Sequence, residues 1–253
     1  MAQTALITGA SSGIGEQFAR ALAGRGHDLI LVARREDRLR MLADELRTGV
    51  SVIACDLGSE ASSIPAKVEE LGHSVDLLVN NAGFGTYGRF HEIPEGRDAE
   101  MVRVNCEAVV ILTRAFLPGM VQRARGGVIV VASTSGHQPL PYTTTYSATK
   151  AFAQFFTEAL HQELRGTGVR ALAVNPGPVP TEWQEIAGVS TRERGVPGEI
   201  PAEQVVAEAL DAFDRDRRSV IPGRVIRTFM LATKPGPRSL QLRVAERLYR
   251  PPA

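Results

Sequence analysis

"TALITGASSGIG", residues 4–15, decides how the rest of the chain is read. Thr4 to Thr8 form a short β-favouring run, Gly9, Gly13 and Gly15 follow at once, and Ile14, Phe18 and Leu22 then recur at a spacing of four. That is a strand running through a glycine turn into a helix with one apolar face. The spacing is G-x-x-x-G-x-G rather than the dinucleotide fingerprint G-x-G-x-x-G, but the physics is shared. Glycines permit the tight turn and let backbone N–H groups approach a pyrophosphate at the helix N-terminus, where the dipole favours negative charge.

Outward from this unit the same alternation repeats. "DLILVA" (28–33) precedes Leu39, Leu42 and Leu46, and "VSVIAC" (50–55) precedes Ile64, Val68 and Leu71. "VDLLVN" (75–80) precedes Val109, Leu112 and Phe116, and "GVIVVAS" (127–133) precedes Phe152, Phe156 and Leu160. "VRALAVN" (169–175) leads to Val205, Ala209 and Phe213, and "SVIPG" (219–223) closes the series. The strand runs are continuously apolar, as strands covered on both faces must be. The pattern predicts an α/β protein: a single doubly wound parallel sheet of Rossmann type with helices on both faces, one domain over residues 1–253.

Two segments depart from it. Residues 180–200 have no clear period and two flanking prolines, Pro180 and Pro201, and read as a substrate loop. Trp183, Ile186 and Val189 make it partly apolar, while Arg192 and Arg194 offer charge. Residues 224–253 form a helical extension in which Leu240, Val244 and Leu248 recur at spacing four between Arg243, Arg247 and Arg250; docking of that apolar stripe on the domain is expected, with membrane binding as the alternative.

Composition excludes several classes. A net charge of +1 gives no electrostatic case for a nucleic-acid partner. The five histidines and two cysteines, Cys55 and Cys106, show no metal-ligand spacing, so no metal is expected, and the lack of a disulfide framework suggests a reducing compartment. The N-terminus lacks a basic segment followed by a long apolar run, and no apolar stretch approaches about 18 residues, so neither a signal peptide nor a membrane span is expected. The reading is cytoplasmic.

"YSATK" (146–150) carries the candidate chemistry. Tyr146 and Lys150 stand one helical turn apart on one face. A free phenol ionises near pH ~10, and a neighbouring ammonium favours the phenolate, bringing the group towards acid–base work near neutrality. Ser133, thirteen residues upstream of Tyr146, falls at the carboxyl end of the fifth strand, where open parallel sheets bind ligands.

Together "TGASSGIG", "NNAG" (80–83), Ser133, "YSATK" and "NPGPVPT" (175–181) resemble the classical short-chain dehydrogenases/reductases, in order and spacing, from residue 4 to about 223. The resemblance implies a nicotinamide dinucleotide held by Gly9, Ser11, Ser12, Gly13 and Ile14 at the phosphates and ribose. It implies Asp56 and Leu57 at the adenine, Asn80, Ala82 and Gly83 at the adenosine ribose, and Pro176, Gly177, Val179 and Thr181 at the nicotinamide. Ser133 would hold the substrate carbonyl, Tyr146 would act as acid/base, and Lys150 would also grip the nicotinamide ribose. Asn105 matches the family's helix-four asparagine, which completes a water-mediated proton relay. A small-molecule carbonyl or alcohol substrate and a homodimer or homotetramer are the family expectations.

Strand two selects the cofactor. NAD-preferring enzymes end it with an acid that bonds both ribose hydroxyls, whereas this chain reads "LVARRED". Arg34 and Arg35 there suit a 2′-phosphate, with Arg34 expected as the main contact. The expected function is therefore an NADP-dependent ketone reductase. The alternative is a catalytically silent nucleotide-binding sensor or scaffold of the same fold, whose mark would be loss of Ser133, Tyr146 or Lys150.

Overall fold

The computed structural model describes residues 3–182, 198–233 and 237–251. Seven parallel strands form one sheet: β1 (Thr4–Thr8), β2 (Asp28–Ala33), β3 (Val50–Ala54), β4 (Leu77–Asn80), β5 (Gly126–Val131), β6 (Val169–Val174) and β7 (Ser219–Val220). Their order is β3-β2-β1-β4-β5-β6-β7. The chain steps outward from β1 on one side, then crosses to β4 and steps outward on the other. The connections after β1 and β4 thus leave in opposite directions and open a crevice beyond the strand ends.

Side chains alternate across each strand, and each face meets its own helices. Leu6, Ile30, Val32 and Leu78 point into a cluster with Ile64 of α3 (Ile64–Glu70) and Leu112 of α5 (Ala108–Gln122). Ile7, Leu29, Leu31 and Val79 point the other way, against Phe18 and Leu22 of α1 (Gly13–Gly24), Leu39 of α2 (Glu36–Glu45) and Val205 of α7 (Ala202–Asp214). Each such side chain contributes about 1.5–3 kcal/mol on burial, so two full layers follow from the continuous apolar runs. The last strand is shorter than "SVIPG" suggested. Only Ser219 and Val220 pair with β6, because Pro222 has no N–H for a ladder and Gly223 turns the chain at φ +88°.

α4 (Arg97–Val102) runs through a π-helical turn (Arg103–Glu107) into α5, and α6 (Thr144–Glu163) carries "YSATK". The sequence led to no expected membrane span; among the described residues one helical run, residues 97–122, is long and apolar enough by length and composition to cross a membrane. One face of that run supplies Ala108, Val109, Leu112 and Met120 to the sheet's core, while Val102, Val110 and Val121 are exposed. Two helices follow β7: α8 (Arg224–Thr233) and α9 (Arg238–Tyr249). The extension is helical as expected, but its apolar stripe is not the docked face. Leu240, Val244 and Leu248 are exposed, and α9 meets the domain through Ala245 and Tyr249 on its other side. Of the expected substrate loop, Trp183, Ile186, Val189, Arg192 and Arg194 lie outside the described residues.

Candidate active site

The crevice at the β1/β4 switch point is a cleft of about 360 Å³. Its floor is the glycine turn. Gly9 donates its N–H to Val32 O at 2.8 Å and adopts φ +67°; a Cβ there would lie 2.9 Å from Ala82 Cα. A Cβ on Gly15 would lie 2.2 Å from Gly9 O. These glycines let the turn fold onto the start of α1 with no side chain between. Ser12, the N-cap residue, makes no side-chain cap bond, so the first N–H groups of α1 face the cleft without that partner. That cradle fits a pyrophosphate.

Thr8 joins this floor to the β4 loop: its hydroxyl accepts from Asn81 N–H and Ala82 N–H, both at 3.0 Å. Asn81 Nδ2 donates to Thr8 O at 2.9 Å, fixing the same junction. Asn80, expected at the ribose, lies outside the cleft. It is the last residue of β4, and its side chain turns the other way to donate to Thr113 Oγ1 of α5 at 3.2 Å. Asn81 lines the cleft in its place. Asp56 and Leu57 both line it, with Asp56 Oδ1 accepting from Gly58 N–H at 2.8 Å to hold its own turn.

Both arginines after β2 border the cleft, with different partners. Arg35 donates to Ser11 Oγ at 3.1 Å, to Ser12 Oγ at 3.0 Å and to Glu182 at 2.8 Å. Arg38 pairs with the same carboxylate, and the Arg38 and Arg35 guanidiniums hold the Glu182 carboxyl below its usual range. Arg34 instead faces Glu100 at 3.9 Å. The arginine bonded to the glycine loop is Arg35, while Arg34, expected from the sequence as the main phosphate contact, stands at the cleft border beside Glu100.

At the other end, Ser133 lies two residues past β5 and accepts from Ser135 N–H at 3.1 Å, which leaves its own proton to donate. Gly136, in the same turn, packs directly on α6: a Cβ would lie 2.6 Å from Lys150 O. This contact sets how close Ser133 stands to the helix bearing Tyr146 and Lys150, and no motif in the sequence pointed to it. Lys150 Nζ donates to Val131 O at 2.8 Å and lies 5.8 Å from the centre of the Tyr146 ring. Burial pushes the Lys150 ammonium down to about 8, and burial also pushes the nearby Cys106 thiol up to about 11, keeping it neutral. Among the described residues no carboxylate pairs with Lys150.

Asn105 is buried in the π-helical turn and does not line the cleft. Its Oδ1 accepts from Phe84 N–H at 3.2 Å, while Nδ2 donates to Phe84 O and to Thr149 Oγ1, each at 3.0 Å. The side chain thus clamps the Gly83–Phe84 loop to α6 at Thr149, the residue before Lys150. Pro176, Gly177, Val179 and Thr181 line the cleft, and Thr134 N–H donates to Pro176 O at 3.0 Å, tying the two loops. Tyr249 of α9, which the sequence reading passed over, completes the wall.

A family model described as short chain dehydrogenase matches residues 3–188. A short chain dehydrogenase of Pseudocercospora fijiensis is 42% identical over 188 residues, covering 71% of this chain and 60% of that protein. A very-long-chain 3-oxoacyl-CoA reductase of Bos taurus is 35% identical over 194 residues, covering 74% of this chain and 62% of its own length. The chain thus spans under two thirds of the length of both of these relatives. Among solved structures, a short-chain dehydrogenase from Sphingobium yanoikuyae in complex with NADPH superposes with a TM-score of 0.82 at 32% identity, covering 94% of this chain and 95% of that one.

Proposed function

This chain belongs to the short chain dehydrogenase family of oxidoreductases, and on that premise we propose that it is an NADP-dependent reductase of ketones. The observation that carries the reading is convergence: Ser133, Tyr146 and Lys150 line the same cleft as the glycine turn and Arg35. A bound nicotinamide dinucleotide supplies the hydride. Ser133 donates a hydrogen bond to the substrate carbonyl and orients it. Tyr146 gives its phenolic proton to the carbonyl oxygen, and Lys150, when charged, favours the negative charge left on the phenol. Asn105 acts by position, holding Gly83 and Phe84 against α6. Arg35, with Ser11 and Ser12, offers the paired donors that a 2′-phosphate accepts.

The cleft walls combine polar donors with apolar surface from Phe84, Val104 and Tyr249, which suits a ketone carrying an apolar chain. The reductase of Bos taurus acting on 3-oxoacyl-CoA makes acyl thioesters the first class to try. Exposed Val110 and Phe155 on α5 and α6 support self-association as a dimer or tetramer. The test is a panel of 3-oxoacyl thioesters, steroids, quinones and aliphatic ketones with NADPH and NADH, followed at the reduced-nicotinamide absorbance band. Turnover of at least one ketone with NADPH favoured over NADH is expected. Turnover that favours NADH removes the NADP assignment, and none at all favours the silent sensor.

A further inference from the structure

We propose that α9 is a surface anchor that seats this protein on an anionic phospholipid membrane. The helix contradicts the usual logic of a docked amphipathic segment. Its single nearly buried residue is Ala245, at 3% exposure, while its apolar stripe Leu240, Val244 and Leu248 stands outward at 50%, 49% and 50% exposure. At spacing four these three form one continuous row. Arg243 and Arg247 each precede a stripe residue, Val244 and Leu248, and so lie in the row beside it. An apolar row flanked by guanidiniums is the pattern of a helix lying in the plane of a lipid interface. The side chains enter the acyl boundary and the guanidiniums bond phosphates, which Arg does with paired donors.

Charge selects lipid over a second copy. Residues 224–253 contain seven basic residues and one acid, a net of +6, against +1 for the whole chain, so residues 1–223 carry a net of −5. The one acid, Glu246, is already engaged by Arg250 and by Tyr142 Oη. Two copies meeting symmetrically through α9 would bring like guanidiniums together. An anionic headgroup layer meets the same face with the opposite sign, and each basic residue near such a surface adds attraction. α8 has the same character, with Val225 and Leu231 exposed beside Arg224. The consequence for chemistry is positional. Tyr249, on the same helix, lines the cleft, so an anchored α9 brings that wall to the lipid boundary, where apolar ketones partition.

Co-sedimentation of the purified full chain with phosphatidylcholine vesicles, with and without phosphatidylserine, tests this without reference to turnover. Binding to the anionic vesicles that weakens as salt rises is expected. The double variant Arg243→Gln with Arg247→Gln should bind about thirtyfold more weakly, and Val244→Ser with Leu248→Ser should also lose binding. Both should keep the parent's circular dichroism and melting midpoint, since the four positions are exposed. Protein that stays in the supernatant, or that binds both vesicles equally, overturns the proposal. So does a dimer in sedimentation velocity that Val244→Asp dissociates, because a second copy would then cover the stripe.

Discussion

Around Gly9 and Gly15 a single methyl group would strike backbone, at 2.9 Å from Ala82 Cα and 2.2 Å from Gly9 O, whereas along α9 three large apolar side chains stand half exposed. The nucleotide end of the cleft is made of backbone brought into direct contact, so nearly every residue there is dictated by the fold. The C-terminal end is made of side chains carried on a helix that the core scarcely holds. The difference teaches where each kind of information sits: cofactor handling in geometry that cannot vary, and substrate or surface choice in side chains that can.

The sharpest way to break that division is to replace one tyrosine of the catalytic helix α6 and one of the C-terminal wall. Tyr146→Phe keeps the ring but removes the transferable proton. Steady-state kinetics should show kcat falling by about 10²–10⁴, the usual range for a lost acid–base group, with NADPH affinity retained. Tyr249→Phe, in the wall supplied by α9, should leave kcat close to the parent and change only KM. Turnover of Tyr146→Phe within tenfold of the parent sinks the mechanism. A collapse of kcat in Tyr249→Phe would show that the C-terminal wall takes part in the chemistry.

The two arginines come next in size. Arg35→Asp replaces a donor on the glycine loop with a repulsive carboxylate, and its preference for NADPH over NADH should fall on the order of a hundredfold. Arg34→Asp, at the position facing Glu100, should cost clearly less. A larger loss in Arg34→Asp than in Arg35→Asp would restore the order expected from the sequence.

The different partners of the two arginines show what the sequence could and could not carry. The glycine turn and "YSATK" are legible because backbone approach and acid–base chemistry demand particular residue types at fixed spacing. Arg34 against Arg35, and Asn80 against Asn81, are pairs of identical neighbours, so residue type says nothing. What decides is where the strand ends. β2 stops at Ala33 and β4 at Asn80, and the last strand residue still obeys the alternation that turns Asn80 towards α5. Gly136 was hidden for a different reason: its turn and α6 are consecutive elements, but a lone glycine in a turn has many uses and no spacing marks its contact with Lys150 O. For α9 the period was right and the direction was not. Spacing four defines a face, but burial and charge decide whether it looks inward.

Lys150 sharpens the contrast from the stability side. Burial depresses its folded pKa from 10.5 to about 8, so between those values the unfolded chain holds a proton that the folded chain has released. Stability therefore rises with pH across that window, and below it the buried charge costs roughly 3 kcal/mol. Lys150→Met removes that cost and gives up one hydrogen bond to Val131 O, worth about 1 kcal/mol. The ligand-free variant should be more stable than the parent by about 1–2 kcal/mol near pH ~7, although inactive. Chemical denaturation across pH should show the advantage fading as pH climbs towards 10.5. A variant less stable at neutral pH would mean that Lys150 supports the fold as well as the site.

The smallest effect concerns Glu182, the one acid set against the proposed phosphate donors. Its carboxylate bonds Arg35 at 2.8 Å and also Arg38, so an incoming 2′-phosphate must share or replace that partner. The site is partly open to solvent, with Glu182's side chain at 34% exposure, and such pairs are worth up to about 1 kcal/mol. Glu182→Gln keeps the shape and removes the competing charge. NADPH affinity, read by fluorescence titration, should rise by no more than about fivefold, and NADH affinity should stay unchanged because NADH brings no 2′-phosphate. Protonation would act like the same substitution, yet the two guanidiniums hold the carboxyl below its usual range. The parent stays charged from roughly pH 6 to 8, so the gain should be constant across that interval. A fall in NADPH affinity would give the opposite answer. Glu182 would then be the brace that aims Arg35 at the phosphate, and the nucleotide end would depend on a side chain from the β6 loop as much as on its glycines.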